Sequence, residues 1–352
     1  MSVVNLRGDS GDQYPRTWKP VDLEAILDGS WERPQPTVGY RDDGEGLFYP
    51  GRCHLVAAEA EAGKSWLALH AVAQELARGN ACVYLDFEDD EGGIAGRLLT
   101  MGALPDAIRK RFAYIHPENP VFGVGSDDLT QVLFELAPTL VVLDGVTEAM
   151  SLHDLELKDN SDVAKFSRIL TRPLSQHGAA VVMLDHVVKD REARGGHAIG
   201  GVHKLNGLNG AMYVLENREQ FGIGRRGRSS LKIRKDRPGQ LRRTAVPVGE
   251  GLFWYADLVI QSHGPEFAEV SLAAAAEREA GAFRPTVIMS RICKTLAANP
   301  EGLSGRAVEG LVTGDSGTKR AALEMLVNEG YVTAEISGRA KIHKLARAFD
   351  ED

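Results

Sequence analysis

The sequence has few cysteines, no long apolar run and no excess of positive charge. Only three cysteines occur among 352 residues, each far from the others in an apolar context, so we expect reduced core residues and no disulfide set or cysteine metal site. No uninterrupted apolar run approaches membrane-spanning length, and the polar N-terminus has no signal-peptide core. The formal net charge of -8 argues against a uniformly basic nucleic-acid coat but leaves local basic patches open. We therefore expect a cytoplasmic protein.

The length of the chain indicates more than one domain. With 43% hydrophobic and 26% charged residues the composition is that of a soluble globular protein, but 352 residues exceed the usual single core. We expect an N-terminal extension over residues 1–40 that packs as a brace on the main domain, a main core over 41–262, a linker over 263–284 and a small domain over 285–348. The linker is assigned because Pro265–Ala282 is rich in Ala and Glu, which favour a helix.

The segment Ala57–Ser65 matches the phosphate-binding pattern G-x-x-x-x-G-K-[ST] at every fixed position but the first, where Ala58 replaces glycine. The apolar run Cys53–Ala57 predicts a buried strand before it, and the apolar spacing of Trp66–Arg78 predicts a helix after it. A strand, a loop and a helix in that order are the context the motif requires; the alternative is a chance Gly-Lys-Ser in a turn. The candidate nucleotide contacts are Glu61, Ala62, Gly63, Lys64, Ser65 and Trp66.

Two side chains of this loop have distinct expected roles. Backbone N–H groups and the positive end of the helix would face a bound phosphate. Lys64 would reach the β- and γ-phosphates of ATP, and the Ser65 hydroxyl would hold Mg²⁺.

Apolar strands alternate with helices through the first part of the chain, which indicates an α/β fold with a mainly parallel sheet covered on both faces. The predicted strands are Ala81–Phe87, Phe112–His116, Leu140–Asp144 and Ala179–His186, and the predicted helices are Glu91–Met101, Ser126–Leu136 and Ser161–His177. A β-rich continuation of the sheet follows at Ala211–Leu215, Ser230–Arg234, Thr244–Val248 and Leu252–Tyr255.

The final segment predicts three helices followed by a hairpin, the order of a winged helix-turn-helix. The helices are expected at Pro285–Ala298, Ser304–Leu311 and Ser316–Glu329, and the hairpin strands at Tyr331–Ile336 and Lys341–Leu345.

Polar residues at strand ends supply the remaining chemistry of phosphate release. Asp144 ends the apolar run Thr139–Leu143, the arrangement expected of a magnesium-side aspartate; an aspartate that caps a turn is the alternative. Glu88 directly follows the earlier predicted strand Ala81–Phe87 and would orient and deprotonate the attacking water. Its neighbours Asp86, Asp89 and Asp90 compete for that role, although a solvated loop acid is the simpler interpretation of each. His186 closes a strand and is either a sensor of the γ-phosphate or a structural histidine.

Four cations crowd a late strand and its turn in Lys232–Gly239. The simple interpretation is a solvated basic hairpin. The functional one is that Lys235 and Arg237 project into the nucleotide site of a neighbouring subunit, where a cation supplied in trans stabilises transition-state charge.

Together these residues resemble the RecA-like ATPase superfamily, in particular the RepA-type, AAA_25-like hexameric helicase ATPases related to the DnaB core. The resemblance covers roughly Gly51–Val259. It implies that Ala58–Ser65 is the Walker A loop, Asp144 the Walker B aspartate and Glu88 the catalytic glutamate, which is why Glu88 is preferred over its neighbours. It also implies the sensor role of His186. The pair Lys235 and Arg237 matches the trans-acting Lys-x-Arg of these families.

The same resemblance implies a DNA-binding loop in the glycine-rich stretch 189–209, facing the channel of a ring; a glycine loop without a ligand is the alternative. Its candidate phosphate contacts are Arg191, Arg194, His197, His203 and Lys204. The winged-helix pattern adds a second set, expected in and beside a major groove: Lys319, Arg320, Arg339, Lys341 and Lys344. Because winged helices also bind proteins, that alternative stays open.

The sequence therefore predicts a Mg²⁺-dependent ATPase that acts on DNA. The specific expectation is a hexameric helicase or translocase in plasmid, phage or mobile-element replication, with single-stranded DNA in the core channel and duplex DNA at the winged helix. One alternative is an ATP-gated DNA-binding or loader protein that does not translocate. Another is a nucleotide-binding regulatory protein without hydrolysis.

Overall fold

The chain divides into two units, Met1–Ala276 and Glu277–Asp352. The computed structural model describes residues 19–157, 159–186, 207–249, 251–275, 286–314, 316–337, 340–347 and 349. Among these residues no helix has the length and apolarity needed to cross a membrane.

The first unit is built on one large sheet. Its parallel strands are β3 (Cys53–Ala58), β4 (Cys82–Asp86), β5 (Phe112–Ile115), β6 (Leu140–Asp144), β7 (Ala180–His186) and β8 (Ala211–Glu219). The antiparallel strands are β9 (Arg226–Asp236), β10 (Val246–Pro247), β11 (Phe253–Ser262) and β12 (Ala268–Ala274). The order across the sheet is β10-β11-β9-β8-β3-β7-β6-β4-β5, and β12 also pairs with β11.

Helices cover both faces of this sheet because its central strands are buried on both sides. They are α2 (Lys64–Ala77), α3 (Glu91–Thr100), α4 (Pro105–Arg111), α5 (Val124–Leu136), α6 (Val146–Leu152), α7 (Asn160–Phe166) and α8 (Arg172–Gln176). The four-residue α1 (Glu24–Leu27) precedes them and has no buried residue. One apolar cluster packs α2 and α3 against one face, and a second packs α5 to α8 against the other. The predicted α/β class with a mainly parallel sheet is confirmed.

A small hairpin joins the N-terminal region to this core. Strands β1 (Val38–Tyr40) and β2 (Gly46–Phe48) pair with each other. The Tyr40 backbone N–H donates to Gln74 Oε1 at 2.7 Å, and the Arg78 guanidinium lies 3.6 Å from the centre of the Tyr40 ring. The hairpin is therefore fixed against α2.

The predicted linker is wrong at its start. Residues 268–274 form β12, whose Leu272 lies opposite Leu258 of β11. Every second residue there, Ala268, Val270 and Leu272, is buried or half-buried. This alternation is typical of a strand and outweighs the helical preference of the Ala and Glu residues around it.

Other boundaries differ from prediction for local reasons. The predicted helix Ser161–His177 is divided by a π-helical turn at Ser167–Thr171, directly before Pro173. Proline lacks the N–H that a continuous α-helix needs and clashes with the preceding turn. The predicted strand Thr244–Val248 is shorter, because a 3-10 turn occupies Leu241–Thr244. Helices α4 and α6, each of seven residues, were not predicted.

The second unit contains α9 (Thr286–Ala297), α10 (Gly305–Leu311) and α11 (Ser316–Asn328). Its strands β13 (Leu303–Ser304), β14 (Val332–Ser337) and β15 (Ala340–Leu345) form an antiparallel sheet in the order β13-β15-β14. A separate apolar cluster holds these elements together, with Met289, Val308 and Leu326 at its centre. That this unit is a winged-helix module stays a prediction.

Candidate active site

Four strand ends bring the candidate residues to one edge of the sheet. The parallel register places Ala58 of β3 beside His186 of β7, and Asp86 of β4 beside Asp144 of β6. The carboxyl edge of a parallel sheet is where ligands bind in open α/β folds. Register, rather than proximity in the chain, assembles this site.

The loop between β3 and α2 has the backbone of an anion-binding turn. Glu61 and Gly63 both have positive φ, 61° and 92°, on either side of Ala62. Such alternation turns successive N–H groups toward one side and forms a concave site for a phosphate. Ala58 lies within strand β3 and needs no left-handed backbone, so the alanine in place of the first glycine is compatible with the loop.

The antiparallel half of the sheet supports the loop from behind. A Cβ at Gly63 would lie 2.9 Å from the Phe221 ring and 3.2 Å from Leu258 Cδ2. The Ser229 hydroxyl of β9 donates to the Ala62 carbonyl at 2.8 Å. Glycine is therefore required at 63 for packing as well as for its φ. Sequence reasoning missed this support, because Phe221 and Ser229 have no motif of their own.

Ser65 and Asp144 form the candidate magnesium site. The Ser65 hydroxyl donates to Asp144 Oδ2 at 2.8 Å, and the Tyr84 hydroxyl donates to the same oxygen at 2.6 Å. Burial raises the pKa of Asp144, while both hydrogen bonds lower it. A hydroxyl and a carboxylate oxygen at hydrogen-bond distance are hard donors of the kind Mg²⁺ selects, so the residues fit the ion.

A histidine links the loop lysine to the candidate base. Lys64 is buried, and its Nζ lies 3.2 Å from His186 Nδ1. Because an ammonium only donates, Nδ1 is the acceptor in this contact when the imidazole is neutral, and Nε2 is the other ring nitrogen. That nitrogen lies 3.5 Å from Glu88 Oε1. Burial lowers the pKa of Lys64, and the charges of Asp144 and Glu88 oppose that shift.

A second glutamate accompanies Glu88. Helix α6 places Glu148 so that both carboxylates converge on Gly145, where a Cβ would lie 1.9 Å from Glu88 Oε1 and 2.7 Å from Glu148 Oε2. Glu148 Oε2 is buried without a hydrogen-bond partner. Burial, and then the neighbouring Glu148 carboxyl, raise the pKa of Glu88 to about 8. The sequence did not indicate Glu148, because the short helix carrying it was not predicted.

The acids beside Glu88 have other partners. Asp86 is fully buried and accepts the backbone N–H groups of Glu88 and Asp89, both at 3.0 Å. Asp89 forms an ion pair with Arg97 at 2.9 Å, and Asp90 caps α3 by accepting Gly93 N at 2.7 Å. The prediction that Asp86 is a solvated loop acid is wrong. Since these three acids have structural partners, Glu88 is the member of the run that meets Lys64 and His186.

Lys235 and Arg237 lie at the opposite edge of the sheet. Strand β9 runs antiparallel to β8, so Asp236 pairs with Ala211 at the amino end of β8. Ser229, which contacts the loop, and Asp236 are seven positions apart along the strand, a span of about 23 Å. The two cations therefore do not reach Lys64 of their own chain. Burial and the nearby Arg237 charge lower the pKa of Lys235.

The remaining predicted contacts fall into three groups. Glu61 is exposed on the loop, and Trp66 is half-buried against the first apolar cluster. In the second unit Lys341 and Lys344 are exposed. The following predicted DNA contacts lie outside the described residues: Arg191, Arg194, His197, His203, Lys204 and Arg339.

Two predicted phosphate contacts of the second unit are engaged internally. Lys319 is buried, and its Nζ donates to the carbonyls of Glu309 at 2.7 Å and Val312 at 3.3 Å. It satisfies the last carbonyls of α10, which a helix leaves unpaired, so its assignment as a phosphate contact is wrong. Arg320 is exposed but pairs with Glu309 at 2.8 Å.

Comparisons with known proteins agree with this geometry. The AAA_25 family model, described as an AAA domain, matches residues 19–192. The DNA repair protein RadA of Brucella abortus (strain 2308) is 28% identical over 175 residues, 48% of this chain and 36% of that protein. The core is a RecA-like P-loop ATPase.

These similarities extend over different shares of the proteins compared. The ATPase chain spans only about a third of the length of the RadA relative, since the match covers 36% of it. A KaiC-like protein from the hyperthermophilic archaeon Pyrococcus horikoshii OT3 has a crystal structure similar over 68% of this chain and 98% of its own, with a TM-score of 0.46 and 15% sequence identity.

Proposed function

We propose that the protein hydrolyses ATP with Mg²⁺ and couples hydrolysis to work on DNA. The observation that carries the proposal is the convergence of Ser65, Asp144, Lys64 and Glu88 at one strand edge. These are the parts that phosphoryl transfer to water requires: a phosphate grip, a metal anchor and a base.

Each residue has one step in this scheme. Lys64 binds the β- and γ-phosphates, and on doing so gives up its contact with His186. Ser65 and Asp144 hold Mg²⁺, which supplies charge neutralisation when bound. Glu88, once ionised, orients the attacking water and accepts its proton at a carboxylate oxygen. His186 stands between the grip and the base, so it senses whether Lys64 is engaged.

The transition-state cation comes from a neighbouring copy in this proposal. Lys235 and Arg237 are about 23 Å of strand from the loop of their own chain, and they lie on the edge that a second subunit can present. A homo-oligomer, a hexameric ring in the specific proposal, would bring one subunit's cations to the next subunit's phosphates and make hydrolysis depend on assembly.

The DNA role is proposed as helicase or translocase activity. The RadA relative is by name a DNA repair protein, and exposed Lys341 and Lys344 of the second unit are available to phosphates. Plasmid, phage or mobile-element replication is the proposed setting.

One measurement tests the proposal. ATP turnover of the wild type and of Lys64→Ala is recorded with and without single-stranded DNA, alongside a strand-displacement assay. We expect turnover that DNA stimulates several-fold and that Lys64→Ala abolishes. A wild type that ignores ATP at all Mg²⁺ concentrations would refute the assignment.

A second candidate is an ATP-gated DNA-binding or loader protein that hydrolyses slowly and does not translocate. The pairing of Glu88 with Glu148 favours it, because a base with a pKa of about 8 is largely protonated at neutral pH. A loader would show ATP-dependent affinity for duplex DNA, low turnover and no strand displacement.

A further inference from the structure

The turn that follows strand β9 is organised around one carboxylate. Asp236 is buried, and it accepts the backbone N–H of Gly239 at 3.0 Å through Oδ1 and that of Leu241 at 2.9 Å through Oδ2. The Arg242 N–H donates to the same Oδ2 at 3.3 Å. Three backbone donors of one turn therefore converge on a side chain that lies, in sequence, directly between the two cations proposed to act in trans.

Tyr49 completes this arrangement from a distant part of the chain. It directly follows strand β2, its side chain is fully buried, and its hydroxyl donates to Asp236 Oδ1 at 2.9 Å. The hydroxyl oxygen accepts the backbone N–H groups of Gln240 at 3.2 Å and Leu241 at 3.3 Å. The phenol thus uses its proton and both lone pairs to bridge the carboxylate and the backbone of the turn.

A buried histidine holds Tyr49 in place. His54 Nε2 accepts the Tyr49 backbone N–H at 3.0 Å, and the two rings stack with their centroids 6.0 Å apart. A Cβ at Gly210 would lie 2.5 Å from the same nitrogen, so glycine is required there. The Arg237 backbone N–H donates to the Gly210 carbonyl at 3.1 Å. The ring that holds Tyr49 and the backbone that carries Arg237 therefore meet at one residue.

The β1–β2 hairpin also holds the far end of the turn. Arg41, in the loop of that hairpin, is buried, and its Nη1 donates to the carbonyls of Thr244 at 3.1 Å and Tyr255 at 2.8 Å. Thr244 is the last residue of the 3-10 turn. The hairpin and the tyrosine that follows it thus bind both ends of the segment 236–244.

Strand β9 changes register just before the cations. Met212 lies opposite Lys235 and Tyr213 lies opposite Ile233, so Arg234 is the extra residue of a β-bulge. A bulge bends its strand and redirects the side chains around it. Beyond the bulge Lys235 is half-buried and Arg237 is exposed. The direction in which the two cations leave the sheet therefore depends on how firmly the backbone of this strand end is held.

We propose that Tyr49 is the positioning residue for the cations that one subunit supplies to the next. It acts through Asp236 and the turn, and not on ATP itself. Such a residue matters because a displacement of about 1 Å at a catalytic group can lower the rate about 10²-fold. The inference rests on the proposed transfer of Lys235 and Arg237 between subunits, and it assigns to the N-terminal hairpin the task of aiming them.

Removal of one hydroxyl group tests the proposal. Tyr49→Phe keeps the buried ring, and ATP turnover should fall by about 10–10²-fold with ATP affinity unchanged. Tyr213→Phe is the matched control, because its hydroxyl is also buried but donates to the Leu47 carbonyl instead of the turn. The control should keep the turnover of the wild type. Turnover is measured by phosphate release and affinity by calorimetry, and equal turnover in the two variants would overturn the proposal.

Mixed oligomers separate a positioning role from a general loss of structure. A Tyr49→Phe subunit keeps its own phosphate loop but presents its cations poorly. Lys64→Ala subunits, whose cations are intact, should restore part of its turnover, whereas Arg237→Ala subunits should not. Rescue by both partners, or by neither when Lys64→Ala does rescue Arg237→Ala, would refute this inference alone. If Lys64→Ala fails to rescue Arg237→Ala as well, the transfer of cations between subunits is wrong and the inference fails with it.

A measurement without ATP examines the turn directly. Tyr49→Phe should accelerate hydrogen exchange at the amides of Gln240 and Leu241 by about tenfold, the scale of one lost hydrogen bond. Tyr213→Phe should leave these rates unchanged. Asp236→Asn, which replaces one acceptor oxygen by an N–H donor, should accelerate the exchange and reproduce the rescue pattern of Tyr49→Phe. Wild-type exchange in both turn variants, each folded by circular dichroism, would show that the hydroxyl does not hold the turn.

Discussion

The two edges of the large sheet carry opposite kinds of chemistry. At the carboxyl edge Asp144, Glu88 and Glu148 gather round Lys64, and Glu148 Oε2 is buried without a hydrogen-bond partner. At the amino edge the Asp236 carboxylate accepts the Tyr49 hydroxyl at 2.9 Å and three backbone N–H groups of the turn that follows. The charged groups of the carboxyl edge are therefore arranged to bind a ligand. At the amino edge the Asp236 carboxylate already has hydrogen-bond partners within the chain.

One strand, β9, contributes to both edges of the sheet. β9 supports the phosphate loop through Ser229 at its start and fixes Asp236 at its end. Asp236 is buried and accepts the Tyr49 hydroxyl, whereas its neighbours Lys235 and Arg237 are half-buried and exposed, respectively. A rigid turn of this kind presents cations at little entropic cost, which suits a role in a neighbouring site.

The largest expected effect comes from substituting the candidate base at the carboxyl edge. Glu88→Gln should lower ATP turnover by about 10²–10⁴-fold with nucleotide binding retained, because only the proton acceptor is lost. Asp89→Asn is the control, since Asp89 pairs with Arg97 outside the cluster. Turnover is measured by phosphate release and binding by calorimetry. Unchanged turnover in Glu88→Gln would remove this residue from the proposed mechanism.

The amino edge should matter only across subunits. Arg237→Ala should lower turnover by about 10²-fold, the scale of one lost transition-state donor, without weakening ATP binding. Mixing it with Lys64→Ala subunits should restore part of the activity, because each then supplies what the other lacks. Arg243→Ala, at an exposed position of the nearby 3-10 turn, should behave as wild type. Absence of rescue would leave the basic hairpin as surface charge.

The proximity of Glu148 to Glu88 should move the pH range in which turnover rises toward higher pH. With its pKa raised to about 8, Glu88 is an effective base only above that pH, so turnover should rise through this range. Glu148→Gln removes the neighbouring negative charge, and the rise should move toward lower pH. A pH–rate profile unchanged by Glu148→Gln would contradict the pairing.

The same pair has a stability consequence of known sign. Glu88 has a higher pKa in the folded state than the 4.5 of the free side chain, so the folded state binds more protons between these values. The free energy of unfolding should therefore fall as pH rises from about 4.5 to about 8. Urea titrations of the ligand-free protein at several pH values should show that the free energy of unfolding falls less steeply with pH in Glu88→Gln than in the wild type.

The smallest expected effect is in the loop backbone. Glu61 has a φ of 61°, which costs a non-glycine residue about 1–2 kcal/mol. Glu61→Gly relieves this but adds chain entropy, so we expect a net stabilisation below about 1 kcal/mol. Ala60→Gly, where φ is not positive, should instead destabilise by about 0.5–1 kcal/mol. Urea unfolding midpoints compare the two variants.

Much of the ATPase core was predictable because its signals are local. The strand-loop-helix around Lys64 and the apolar run before Asp144 each lie in one short segment, and the structure has both elements where the pattern predicts them. The contacts of Lys319 could not be predicted, because a lysine early in a helix has the same sequence pattern whether it binds a phosphate or caps α10. Strand β12 was missed because Ala-rich sequence favours a helix until a partner strand is present.

By itself the sequence determined the α/β class, the phosphate loop and the identity of the acids that can serve it, because periodicity and motif spacing act over a few residues. Only the tertiary structure decided which of these residues meet. The register of β4 and β6 brought Tyr84 to the oxygen of Asp144, a short helix brought Glu148 to Glu88, and the antiparallel course of β9 moved Lys235 and Arg237 to the far edge. Such pairings depend on hydrogen bonds between strands distant in the chain, and no local pattern encodes them.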